Sequence, residues 1–196
     1  NVFLHFAAPI TFLAFLFFLY SLLPFVQQRL RDKELWFKVG LSFFASLFVF
    51  SSMEVGFKVL SDETNLLSVA NMISQFGMAS NTEQWIYYYH TYHPLDFSVP
   101  TRPIFFPVLT ALVHFFNGMQ WWSPFAVNFL AFWGLGFLSL SLVSRDRFFS
   151  WLSLLSLLMS PVLLIVSTSG GFDLVSLFFA VCVFTFWRKW TQDRKS

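Results

Sequence analysis

Charge is what this sequence has least of. Only 11% of its 196 residues are Asp, Glu, Lys or Arg, against about a quarter in an ordinary soluble domain. A water-soluble fold of this length cannot hide a chain that is 57% hydrophobic. Cysteine is scarce too. Cys182 stands alone in an apolar run, so no disulfide within the chain can form, and it reads as a small packing residue. There is no phosphate-cradling glycine loop, no H-E-x-x-H pair and no nucleophile elbow. No cofactor is called for.

What is present instead is apolar length. Thirty residues are Phe, which lipid tolerates well and which reads partly as compositional bias. A helix crossing a bilayer needs about 20 apolar residues. Five stretches approach that: 2–26, 36–59, 124–143, 148–166 and 172–187. The expected fold is therefore all-α and polytopic, a single membrane domain. Residues 1–59 hold two spans, 60–123 an outer loop with two interfacial helices, and 124–190 three more spans. The first stretch is too long for a signal peptide and lacks a basic start. The chain begins with Asn1, not Met, and is expected to be a fragment of a longer chain.

The few charges give an orientation. Ten of the twelve Lys and Arg fall on one side of a five-span arrangement, and only Lys58 and Arg102 fall on the other. The positive-inside bias then turns residues 60–123 outward, from a bacterial inner membrane in this reading. Because the basic residues serve topology, nucleic acid is not an expected partner.

The outer loop carries the polar chemistry. Thr64, Ser68, Asn71 and Gln75 form one helical stripe, with Gly77 as its stop. Thr110, His114 and Asn117 form a second after Pro103, opposite an apolar stripe that includes Val108 and Phe115. Both helices are expected flat in the membrane interface. Trp85, Tyr87, Tyr88, Tyr89, Tyr92, Trp121 and Trp122 suit a headgroup belt.

Each candidate has a structural and a chemical reading. Ser61 or Asp62 can cap a helix, with Glu63 favoured in its first turn. Alternatively Asp62 is a general base held rigidly at the interface. Arg102 is the one arginine on the outer side; it either snorkels to any lipid phosphate or binds a leaving phosphate. His90 and His93, in H-T-Y-H with Asp96 nearby, read as a solvated substrate-side loop more readily than as a metal site, since no third ligand is clear. Asp173 is a turn or cap residue, or faces the same cavity as Asp62.

The order of a span, Asp62-Glu63 opening an outer helix, then Arg102-Pro103 before Ile104-Phe105-Phe106-Pro107-Val108-Leu109-Thr110-Ala111-Leu112 resembles the N-terminal part of GT-C membrane glycosyltransferases. The closest branch is the protein O-mannosyltransferase and lipid A aminoarabinose transferase group. The resemblance covers about residues 36–190. It implies a polyprenyl-phosphate sugar as donor, Asp62 as the catalytic acidic residue with Glu63 in support, and Arg102 on the donor phosphate. Thr101 stands where several members carry an acid with a metal role. The stretch 2–26 is extra relative to the family's usual start, and family members usually have more spans. The competing expectations are a noncatalytic membrane subunit that binds lipid or a partner, and, last, a piece of a transporter.

Overall fold

The computed structural model describes residues 2–29, 33–82, 84–88, 91–142 and 147–193. It is mainly helical: α1 (Val2–Arg29), α2 (Lys33–Ser52), α3 (Leu60–Phe76), α4 (Phe105–Asn117), α5 (Ser123–Leu142), α6 (Arg147–Leu158), α7 (Pro161–Ser167) and α8 (Asp173–Asp193). An antiparallel hairpin of β1 (Trp85–Tyr88) and β2 (Thr91–Pro94) interrupts them. The all-α class expected from the sequence holds, with this one short hairpin added to it. Runs such as Trp-Ile-Tyr-Tyr and Thr-Tyr-His favour a pleated surface over a helix. Tyr89 and His90 lie outside the described residues.

Membrane-length helices are present, but the expected five reduce on length and apolarity. Among the described residues two qualify, Lys33–Ser52 and Ser123–Ser141. A third arises only if Phe148–Leu158 and Pro161–Ser167, bent by 65°, count as one span. The bend has a plain cause: Pro161 cannot continue a helix, and the Ser160 hydroxyl caps the new one by accepting from Leu163 N–H at 3.4 Å. The stretch expected at 36–59 ends early, because α2 stops at Ser52 and leaves Glu54 and Lys58 outside it.

The chain divides into two compact units. The first holds Asn1–Gln28 and Phe57–Val127. Here α3 and α4 pack on each other through Leu66, Val69 and Met72 and through Phe106, Val108 and Ala111, all buried. Ala7 and Ala8 of α1 join Ala79 and Val108 in one cluster, and Phe15 meets Phe105 edge-on at 6.0 Å. The helix ends follow the glycines. Gly77 is left-handed (φ 64°) and its N–H donates to Ile73, closing α3 as expected. Gly118 follows α4 at φ 73°.

Two local expectations fail. Helix α3 starts at Leu60, so neither Ser61 nor Asp62 caps it; Val59 does, without a side-chain bond. Helix α4 starts at Phe105, so Pro103 precedes it, while Pro107 takes a first-turn position where a missing N–H costs little. Two of the three residues of the polar stripe of α4 also face inward, while Asn117 stays exposed. Thr110 and His114 are buried, whereas Phe115 and Phe116 are 80% and 79% exposed. The two phenylalanines therefore supply the apolar outer surface.

The second unit holds Arg29–Gly56 and Asn128–Ser196. Aromatic edges and small residues pack it. Phe43 meets Phe129 and Trp133 at 5.7 and 5.3 Å, and the Trp133 indole donates to the Val39 carbonyl at 3.1 Å. Buried Ser42 lies against Gly136, a close approach that a small pair permits. The turn between α7 and α8 is buried from Ser167 to Gly171. Asn128 holds it, donating through its side-chain nitrogen to Ser169 at 2.7 Å and Gly171 at 2.9 Å. Gly56 N–H donates to Thr168 at 3.1 Å. Asn128→Leu keeps the volume but strands two buried carbonyls. It is expected to cost about 2–4 kcal/mol, read as a lower Tm in detergent, while the exposed Ser156→Ala should leave Tm unchanged.

Candidate functional site

The segment running from α3 to α4 in the first unit brings Asp62 and Arg102 into direct contact. The guanidinium meets the carboxylate at 2.5 Å, with both side chains a little under half exposed. Asp62 is in the first turn of α3, where the helix dipole favours an anion. Arg102 reaches it because the intervening loop is pinned. Asn81 and Ser98 exchange backbone hydrogen bonds, both at 2.9 Å. The Ser68 hydroxyl of α3 donates to the Thr82 carbonyl at 2.8 Å. The Asp96 carboxylate accepts from the Thr82 hydroxyl at 2.7 Å and from Gln84 N–H at 3.1 Å. Asp96 is thus a brace of this loop.

Glu63 behaves differently from its neighbour. It is 4% exposed, and its carboxylate accepts from the backbone N–H groups of Lys58 at 3.1 Å and Val59 at 3.1 Å. It turns back on the start of its own helix and satisfies donors that would otherwise be orphaned. The capping function expected of Ser61 or Asp62 belongs here. Glu63 therefore holds the helix that presents Asp62.

A shallow cleft opens beside the ion pair. Asn65, Leu66 and Val69 of α3, with Asn81, Arg102 and Pro107, form most of its wall. As it stands it has room for about one water molecule. Asn81 is buried, and its side-chain oxygen has no hydrogen-bond partner among the described residues. Neither Asn65 nor Asn81 was singled out by sequence. Asn65 had a signal, standing three residues after Asp62 on the same helical face. Asn81 had none, since only the loop pairing carries it there.

His93, in the same unit, does not line this cleft. His93 is exposed on β2, opposite Ile86 in the hairpin, and His90 lies outside the described residues. Asp173 is the exposed first residue of α8 in the second unit. Among the described residues no three His, Cys, Asp or Glu side chains are grouped to hold a metal ion. No family model, no curated protein and no solved structure matches the chain.

His114 is a further buried titratable group. Its Nε2–H donates to the Gln120 carbonyl at 3.3 Å, since a carbonyl can only accept, and its Nδ1 has no partner among the described residues. Burial lowers its pKa below 6.5, and the hydrogen bond to Gln120 opposes that only in part. Two predictions follow from these environments. Glu63→Ala should lower Tm by an amount equivalent to about 1–2 kcal/mol, whereas Asp62→Asn should leave Tm within error; equal effects would contradict the division of labour. For His114 the folded pKa lies below the unfolded one, so the unfolded chain binds more protons between them. This contribution is complete above pH 6.5 and is lost as pH falls toward the lowered value. Thermal melts from pH 7.5 to 5 should show that fall, and His114→Gln should flatten it.

Proposed function

We propose that this chain is a GT-C-like membrane glycosyltransferase, moving a sugar from a polyprenyl phosphate to an acceptor on the outer side. The observation that carries the reading is the Asp62–Arg102 pair. A carboxylate and a guanidinium meet at one point beside a cleft, in a segment flanked by membrane-length apolar helices. That pairing supplies a base for a hydroxyl and a fork for a phosphate. In the reaction Asp62 takes the proton of the acceptor hydroxyl. The acceptor oxygen then bonds to the anomeric carbon, and the bond from that carbon to the phosphate oxygen breaks. The electron pair leaves with the polyprenyl phosphate, whose charge Arg102 stabilises. Direct displacement inverts the anomeric centre. Glu63 positions Asp62 through the helix start and is not itself a catalytic residue.

The membrane arrangement belongs to the same proposal. The helices α1 and α8 would complete five crossings in a bacterial inner membrane, with residues 60–123 outward as the Lys and Arg distribution requires. Exposed Phe115, Phe116 and Trp121 suit the lipid interface there. The second reading, a noncatalytic subunit that binds lipid or a partner, draws on the smallness of the cleft and on the neutralisation of Asp62 by Arg102.

The two readings separate on mutation in native membranes with a labelled polyprenyl-phosphate sugar. Asp62→Asn should reduce transfer by about a hundredfold to ten-thousandfold with donor binding nearly intact. Arg102→Ala should weaken binding and slow transfer together, and Arg102→Lys should recover part of both. Full activity in Asp62→Asn leaves Asp62 as an ion-pair partner only. Orientation is read separately: with Cys182→Ser, a cysteine at exposed Ser98 should react with an impermeant thiol reagent from outside, and one at Ser144 should not.

A further inference from the structure

Asn81 lines the cleft beside the ion pair, and its side chain carries an unexplained polar atom. The side-chain oxygen of Asn81, a residue 9% exposed, has no partner among the described residues. Buried polar atoms are nearly always bonded, so an unanswered one on a cleft wall points to something that binds there. Asn65, one turn beyond Asp62 on α3, lines the same cleft. We propose that the Asp62–Arg102 pair is a latch over this cleft, and that the opened cleft receives the hydroxyl groups of a neutral hexose. This rests on the transferase reading above and deepens it.

The latch argument starts from exposure. Arg102 belongs both to the ion pair and to the cleft wall. A pair as open to water as this one is worth little and exchanges partners readily. A lipid phosphate offers the guanidinium more charge and more acceptor oxygens than one carboxylate does. Its arrival draws Arg102 away. Two consequences follow from that one movement. Asp62 is released as a base, and the cleft loses the wall that holds it to the size of a water molecule. The sugar class follows from the lining. Each asparagine amide offers a donor and an acceptor, which matches a hydroxyl that is both. Leu66, Val69 and Pro107 offer an apolar face for the C–H side of a ring.

The test uses the chain in lipid nanodiscs and two short-chain polyprenyl phosphates, one bare and one bearing a neutral hexose. Calorimetry should show the hexosyl form binding about tenfold tighter than the bare form. Asn81→Leu and Asn65→Leu should each lose most of that gain and keep the affinity for the bare phosphate. Asn81→Leu should also leave Tm unchanged or raise it, since it removes an unanswered buried oxygen. Equal loss for bare and hexosyl forms in both variants overturns the hexose subsite, while the transferase reading stands. No binding of the bare phosphate to the unaltered protein overturns the transferase reading, and the latch with it.

Discussion

The carboxylate of Glu63, folded back onto the N–H groups of Lys58 and Val59, decides where α3 begins. A helix start leaves several N–H groups without partners, and an apolar chain has few side chains able to answer them. Glu63 answers two from within the helix. With the start set at Leu60, Asp62 falls on the outer side of the first turn, turned away from the core that Leu66 and Val69 enter. Two adjacent acids thus divide between the helix start and the surface. One is buried and fully engaged, and the other is half-exposed and available to Arg102.

Delivery of Arg102 depends on a different kind of restraint. The segment between it and Asp62, forty positions away in sequence, includes a hairpin and loops that would wander if their polar groups were unanswered. Asp96, Ser68 and Thr82 bond within this segment, and the Asn81–Ser98 bridge closes its base. Beneath it α3 and α4 share a core, so the ends of both helices hold a constant relation. The ion pair itself contributes roughly 0–1 kcal/mol at this exposure. It is a consequence of the fold, and its weakness lets it change partners.

The second unit solves the same problem in a drier setting. The turn between α7 and α8 buries backbone carbonyls that water cannot reach, and the Asn128 amide takes two of them. Small residues such as Ser42 and Gly136 let helices approach closely, while Phe44, Phe48 and Phe184 are left on the outside. Apolar residues outward and polar residues inward is the arrangement lipid favours.

Composition and periodicity alone determined the helical character, the apolar lengths and the stops at Gly77 and Gly118. Those are local properties: propensity, backbone freedom and the run length of apolar residues. The placement of α3 and of α4 was legible to within a few residues. The polar stripe of α4 was legible as a stripe, yet its direction was not, because a 3.6-residue period shows two faces without saying which is covered. Packing against α3 buried Thr110 and His114 and left Phe115 and Phe116 outside. The hairpin was hidden because aromatic runs suit a strand and a membrane belt equally. The bend at Ser160 was visible only as a proline inside an apolar run. The meeting of Asp62 with Arg102, the turning-back of Glu63 and the arrival of Asn81 in the cleft were decided by tertiary structure, because each joins residues through backbone pairings and packing that no short window of sequence contains.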